Sequence, residues 1–306
     1  MNAKRQALII LLALSAPRPC HAASSGKEPL QFLFLDANAR AVGLGGAYTA
    51  LARDANALLY NPGGLGKVQS HEATFMHNQY FEGVAQEYLA YASPYGWGAL
   101  LNYLSFGDVP KTTISNPSGS GLGSAGLSDL ALAVGYGRRF HDEFSVGAGL
   151  KYVRESIAGA AGHGMMADLG ALYAPQALEG LTLGLAAQNL GPSVKYQSAK
   201  ESLPLNLRLG AAYEFNIGGQ KNTLSLDVAK ERSEQALVGA GLESIVAGVL
   251  PVRVGFNTRN DAGPKVSAGL GWIHEALSVD YAFVPFGELG TTHRISATWR
   301  WGRSGF

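Results

Sequence analysis

The chain carries a single cysteine, Cys20, in 306 residues. A disulfide framework is therefore excluded, and so is a metal site built on cysteine pairs. Charged side chains make up 15% of the residues, against roughly 25% in soluble domains, and the formal net charge is +1. With lysine and arginine scattered along the chain, that balance leaves no footprint for nucleic acid. Long apolar runs are missing too, since nothing approaches the roughly 18 residues of a membrane helix. No Walker loop, Gly-x-Ser-x-Gly elbow or His-Glu-x-x-His pattern occurs. The seven histidines are dispersed. His71 and His77 have no carboxylate at ligand-like spacing, and His141-Asp142-Glu143 reads as a solvated turn. The sequence predicts no metal, no cofactor and no catalytic residue, so the protein is not read as an enzyme.

Glycine is what the chain has in excess: 40 residues, about 13% against a usual ~7%. Together with few charges and a mean hydropathy close to zero, this fits a barrel with one polar and one apolar face.

Three regions follow. Residues 1–22 read as a signal peptide, with basic Lys4 and Arg5, an apolar core from Ala7 to Ala16 and a small-x-small site at Cys20-His21-Ala22. Its removal leaves a mature chain from Ala23 that is free of cysteine. Residues 23–67 are read as an exposed leader, starting Ser24-Ser25-Gly26-Lys27-Glu28-Pro29, followed by a compact plug. In the plug, Gly43, Gly45, Gly46, Ala47, Ala50 and Ala52 allow a short helix to pack with its backbone close to its surroundings. Arg53 and Asp54 interrupt the apolar run, and Asp54 is placed to cap a helical turn from Asn56 to Tyr60. Pro62 ends that turn because it pushes Asn61 out of the helical region, and Gly63-Gly64 permits a sharp reversal.

Residues 68–306 are read as the barrel. From Glu72 the hydrophobic period changes from helical to alternating. Phe144, Val146, Ala148, Leu150 and Tyr152 oppose Ser145, Gly147, Gly149 and Lys151; Val252, Val254 and Phe256 oppose Arg253, Gly255 and Asn257. About fourteen such segments occur, near 71–80, 84–93, 96–106, 126–138, 143–156, 163–174, 181–190, 203–215, 222–230, 236–243, 250–258, 264–273, 276–284 and 291–301. An even number closes an antiparallel barrel without a free edge, and most segments reach the 9 to 11 residues or so that cross a bilayer at a tilt. The long Gly/Ser/Pro-rich link from Gly107 to Ala125 contrasts with short turns such as Pro94-Tyr95-Gly96, an asymmetry expected of a membrane barrel.

Alternation alone does not say which face is outside, and a soluble secreted barrel would turn the apolar face inward. Three features favour the membrane: the export signal, a polar face carrying charges in successive strands, and aromatics near the ends of the apolar rows. The charges are Lys151, Asp168, Arg208, Asp227, Arg253, Asp280, Arg294 and Arg300. Tyr136, Tyr152, Tyr173, Tyr213, Trp272, Trp299 and Trp301 are the expected girdle. A charge inside a narrow lumen is costly unless paired, so these charges are read as partners of the plug, with Arg53 or Asp54 expected to meet a wall residue such as Asp280 or Arg294.

The plug resembles the hatch of FadL-like outer-membrane proteins at Gly43 to Ala47, Arg53-Asp54-Ala55 and Asn61-Pro62-Gly63-Gly64-Leu65. Further segments resemble the PorV/PorQ family within that group: Leu150 to Glu155, Asn189-Leu190-Gly191-Pro192, Leu203 to Gly210 and, above all, Val279 to Ser296. The last strand is followed by Gly302 to Phe306, whereas relatives tend to stop at the aromatic corresponding to Trp301. The resemblance implies an all-β transmembrane antiparallel barrel of about 14 strands, with a helical hatch in the lumen, in a bacterial outer membrane. It implies either protein export or surface assembly of the type IX secretion kind, or passage of hydrophobic small molecules. The implied partners are outer-membrane lipid and either secretion-system or exported proteins meeting loops such as Gly107 to Ala125, or an apolar ligand. A ligand passage would need a greasy pocket beside the hatch and an opening in the wall, which the glycine breaks at 147–149, 239–241 and 269–271 could supply. Asn61-Pro62-Gly63 is read as a structural fixture of the plug, with a movable gate as the alternative.

Overall fold

The computed structural model describes residues 29–196, 199–232 and 235–303. The signal segment, the leader up to residue 28 and Phe306 lie outside the described residues. Fourteen strands close into one antiparallel barrel: β1 (Ser70–Gln79), β2 (Ala85–Ala92), β3 (Trp97–Pro110), β4 (Ser124–Arg139), β5 (Phe144–Ile157), β6 (Ala160–Tyr173) and β7 (Leu181–Leu190), then, after a small hairpin of β8 (Val194–Tyr196) and β9 (Ala199–Glu201), β10 (Asn206–Ile217), β11 (Gln220–Glu231), β12 (Ala236–Val246), β13 (Leu250–Asn257), β14 (Val266–His274), β15 (Leu277–Pro285) and β16 (Thr291–Arg303). Each barrel strand pairs with its neighbour in sequence, β7 passes directly to β10, and β1 closes on β16 from Ser70–Arg303 to Gln79–His293. All fourteen expected segments are strands. The β8–β9 hairpin was not foreseen, and β16 continues past Trp301 to Arg303.

Alternation sets the faces as the outer-membrane reading requires. Phe75, Leu89, Leu132, Leu150, Leu209, Val254 and Leu270 point outward and are exposed, whereas Thr74, Asn102, Lys151, Asp168, Asp227 and Arg253 point inward and are buried. With no water in a bilayer to satisfy backbone groups, a closed barrel is what makes an apolar outer face tenable. The links differ between the two ends. One end, where β1 starts and β16 finishes, carries 93–96, 140–143, 174–180, 218–219, 247–249 and 275–276; the other carries 80–84, 111–123, 158–159, 191–205, 232–235, 258–265 and 286–290. These are called the turn end and the loop end. Gly218 and Gly219, at φ 58 and 78°, make the two-residue turn between β10 and β11, a conformation that suits the twist of a hairpin. The expected aromatics gather at the turn end alone, where Tyr136, Tyr173, Tyr213, Trp272, Trp299 and Trp301 are exposed together with Trp97. Tyr152 instead lies mid-wall in β5, so it is not part of that girdle.

Residues 30–68 fill the lumen and cross it from the loop end to the turn end. Leu30 and Phe32 pack with Val194, Leu203, Leu104, Ala131, Val153 and Met166 under the 191–205 link. The chain then forms a helix at Ala39–Gly43, which begins at Asn38 because its side chain accepts a hydrogen bond from the Ala41 N–H at 3.1 Å. A second helical turn follows at Ala57–Tyr60, entered through Asp54, whose Oδ1 accepts from the Asn56 N–H at 2.9 Å. Asn61 is extended, as a residue before proline should be. Two details depart from expectation. Pro62 opens a 3₁₀ helix, Pro62–Lys67, where its missing N–H is harmless, and Gly63 and Gly64 keep negative φ within it, so the turn uses no left-handed glycine. They are small because of what touches them.

Candidate functional site: the lumen and its two cavities

Contact between wall and lumen segment is made first by backbone shape. A Cβ on Gly64 would lie 1.5 Å from Ala52 O, and one on Gly63 2.8 Å from the Ala171 Cα of β6. The wall is equally bare where it faces them: a Cβ on Gly147 would meet Pro62 O at 2.1 Å, on Gly170 Asn61 Oδ1 at 2.1 Å, and on Gly184 Thr49 O at 2.6 Å. Opposite, a Cβ on Gly239, Gly241 or Gly255 would strike the backbone of Leu44 and Gly45 at 2.2 to 2.6 Å. Such separations are far inside contact distance, so glycine at these positions is set by close approach. The glycine breaks of β5 and β12, and Gly269 of β14, are thus seats for the lumen segment, whereas Gly271 makes room for Asp280 and Arg253 of the wall. The register of β5 on β6 and of β12 on β13 runs unbroken through them, which removes them as an opening in the wall.

Charge makes the second contact. Arg40, on the first helix, donates to Glu243 of β12 at 2.7 and 2.9 Å; Arg253 of β13 donates to the same carboxylate at 2.6 Å and to Asp280 of β15 at 2.6 Å. Glu243 is therefore shared by two guanidiniums, one on each side of the lumen boundary. The Asp227 carboxylate of β11 accepts from the backbone N–H of Tyr48 and Thr49 at 3.3 and 3.0 Å, and from Arg208 of β10 at 2.8 Å. Arg208 continues to Gly46 O at 2.7 Å and Thr49 Oγ1 at 2.8 Å. Asn61 bridges Thr49 O and Ala171 O, each at 3.0 Å, and its Oδ1 accepts from Gly63 N at 3.1 Å. Ser145 and Gln188 donate to Gly63 O and Leu59 O. Every buried charge in this set has an opposite charge and a hydrogen bond, the condition on which burial is tolerable.

The expected partners of Arg53 and Asp54 need correction. Arg53 pairs with Glu214 of β10 at 2.5 Å, and Asp54 accepts from the Tyr48 hydroxyl at 2.5 Å. Burial pushes the Tyr48 phenol well above its ordinary pKa, Arg40 opposes that rise and Asp54 adds to it, so the hydroxyl keeps the proton it donates. Asp280 and Arg294 lie elsewhere: Asp280 belongs to Arg253, and Arg294 donates to the Tyr80 hydroxyl at 2.9 Å with its guanidinium 5.2 Å from the Tyr80 ring centre. Arg300 pairs with Glu72 at 3.3 Å near the turn end. The structure brings Gly43, Gly45, Gly46, Arg208, Asp227 and Arg253 to one seat on β10–β14, and spreads Arg53, Asp54, Arg294 and Arg300 over both ends of the lumen. Tyr48, Thr49, Glu243 and Glu72 were missed. Alternation within β12 already turns Glu243 inward, but nothing in the sequence pairs it with Arg40.

Several segments that carried the family resemblance meet in one buried knot. Lys151 bridges Asp168 at 2.9 Å and Asn189 Oδ1 at 2.7 Å; the Asn189 N–H donates to Asp168 at 2.7 Å, and its Nδ2 to Pro204 O at 2.9 Å. Asn189 has φ 63°, and the β6–β7 register shifts beside Asp168. The knot holds a bulge at the root of the 191–205 link.

Among the described residues, two cavities flank the lumen segment. At the loop end, one of about 340 Å³ is lined by Phe34, Val42, Phe81, Val84, Leu104 and Phe286, with Arg294 and Ser267 also on its wall. It reaches the wall where β14 and β15 part: their pairing runs from His274–Leu277 to Ala268–Phe283, and the next residues, Ser267 and Val284, line the cavity instead. At the turn end a polar bowl of about 760 Å³ is bounded by Arg40, Arg53, Asp54, Glu72, Glu214 and Arg300. The lumen segment stands between them.

A closed fourteen-strand barrel with an apolar outer face and a lumen filled by its own N-terminal segment defines a β-barrel protein of the bacterial outer membrane. The Ralstonia pickettii toluene transporter TbuX superposes with a TM-score of 0.60 at 13% identity, covering 87% of this chain and 98% of that one. A monoaromatic hydrocarbon channel, CymD, gives 0.59 at 13% identity over 87% and 98%, and the Pseudomonas putida toluene transporter TodX gives 0.53 at 14% over 86% and 97%. At such identities the likeness is one of fold. Residues 26–233 match the profile of the family described as type IX secretion system protein PorV, and the chain belongs to that family. Two UPF0164 proteins of Treponema pallidum (strain Nichols) are also similar, at 28% identity over 53% of this chain and 44% of theirs, and at 31% over 50% of each. The chain thus spans about half the length of these curated relatives.

Proposed function

We propose that this protein receives an apolar small molecule from outside the cell in the loop-end cavity, in the manner of a FadL-like carrier rather than an enzyme. The observation that carries this reading is the cavity itself: apolar side chains from the lumen segment and the loop-end links enclose about 340 Å³, within the range of roughly 300–1,000 Å³ typical of small-molecule sites. The parting of β14 from β15 beside it offers a way into the outer leaflet. The hydrocarbon and toluene transporters of similar fold support the same reading. A second reading, a station for exported proteins, is favoured by membership of the PorV family, with the loop-end links such as 111–123 as the docking surface.

Extraction of the barrel from native membranes in a mild detergent, followed by mass spectrometry of what stays bound, separates the two. An enriched apolar compound that is lost on filling the cavity with Val84→Trp supports the first reading. Stoichiometric proteins that survive Val84→Trp, with no enriched compound, replace it with the second.

A further inference from the structure

The lumen segment is not held equally around the barrel. On β4–β7 and β10–β13 it sits in glycine seats and is tied by many hydrogen bonds and ion pairs, with Asn206 Oδ1 and Asp227 Oδ1 as isolated exceptions. Towards β16, β1 and β2 the relation is reversed. Among the described residues, a single hydrogen bond, from Ala55 N to Glu72 at 3.3 Å, ties residues 38–67 to these three strands. The faces turned towards β1 and β2 are Ala37, Ala55, Leu58 and Leu65, packed with Met76, Tyr88, Ala90 and Ala92, while Ala39 and Val42 pack beside them with Ala282 and Val284 of β15.

The wall on this side is nevertheless written for polar company. The inward row of β16 is Thr292, Arg294, Ser296, Thr298 and Arg300, and Asn78 of β1 stands opposite Arg294. Thr292, Ser296, Asn78 and Tyr88 are 0% exposed, and Thr292 Oγ1, Arg294 Nε, Ser296 Oγ, both side-chain polar atoms of Asn78 and the Tyr88 hydroxyl are buried with no hydrogen-bond partner. Buried polar groups without partners are rare because each forfeits its hydration, so a contiguous group of them against apolar side chains is a poor permanent interface. The row also joins the two cavities, since Arg294 lines the loop-end one and Arg300 the polar bowl.

We infer that the lumen segment parts from the wall along β16, β1 and β2, and that this strip is the surface that water and small uncharged hydrogen-bonding solutes meet when it does. The fixed side, β4–β7 and β10–β13, acts as the hinge. The segment is therefore a gate with a defined seam, and its polar lining differs in kind from the apolar cavity above it.

The test uses the full chain with Cys20→Ala, in which no cysteine remains. Ser296→Cys is placed on the seam and Ser225→Cys on the hinge wall, where Ser225 is 2% exposed against 0% for Ser296. In the folded, detergent-purified barrel, a small maleimide should modify the first at least about tenfold faster. Thr292→Cys serves the same purpose if Ser296→Cys does not fold. A disulfide between Val42→Cys and Ala282→Cys should suppress the labelling and slow glycerol-driven swelling of liposomes holding the barrel, and reduction should restore both. Equal labelling of seam and hinge, or swelling indifferent to the disulfide, overturns the inference whatever compound the loop-end cavity binds.

Discussion

The wall of β4–β13 and the wall of β16–β1–β2 enclose the same segment by opposite means. The first omits side chains wherever the segment's backbone arrives and supplies charge wherever its polar groups arrive. The second keeps full-sized hydroxyl, amide and guanidinium groups and faces them with apolar side chains. A fixed seat needs shape and paired charge; a surface meant to be uncovered needs neither, and is better furnished for what replaces the segment.

Substitutions break this contrast to different degrees. The largest loss is expected from Gly147→Val, whose side chain enters the space of Pro62 O, a backbone atom with nowhere to move. The folded, heat-modifiable band on gels should disappear, while Gly126→Ala in β4, which has nothing within 4 Å of its new Cβ, should fold normally. Next comes Asp227→Asn, which leaves Arg208 buried without its counter-charge and weakens the acceptor of two backbone N–H groups. Breaking a buried pair costs about 3–5 kcal/mol, measurable as a lower urea midpoint for unfolding from detergent. The smallest effect should be Ser296→Val on the seam. It removes a hydroxyl without a partner, so stability should change by less than about 1 kcal/mol or rise, and a loss as large as that of Asp227→Asn would show that the seam is as closely fitted as the seat.

Much of the barrel is legible in the sequence because alternation is a local property. Rows such as Leu224, Leu226 and Val228 against Ser225 and Asp227 state the strand and its two faces without reference to any neighbour, and the strands are long enough to leave little slack in their ends. The inward charges were legible for the same reason. Their partners were not. Arg40 and Glu243 are 203 positions apart, and no spacing rule connects a helix in the lumen to a strand that far along the chain. The glycines show the same limit from the other side. Gly147 and Gly149 suggest a weak point in a strand, yet they are where the strand is most closely covered. The β8–β9 hairpin escaped notice because three-residue strands are too short for a period to register.

Composition and period alone therefore determined a barrel of about fourteen strands with one polar and one apolar face, since strand length and alternation are each written in neighbouring residues. Only the tertiary structure decided that the glycines are seats, that Arg53 meets Glu214 and not Asp280, that an apolar cavity and a polar bowl lie on opposite sides of the lumen segment, and that unpartnered polar groups gather along β16 and β1. Those outcomes depend on which distant backbone passes within a few ångströms of a given side chain. Closing the barrel fixes that distance, and no stretch of the chain contains it.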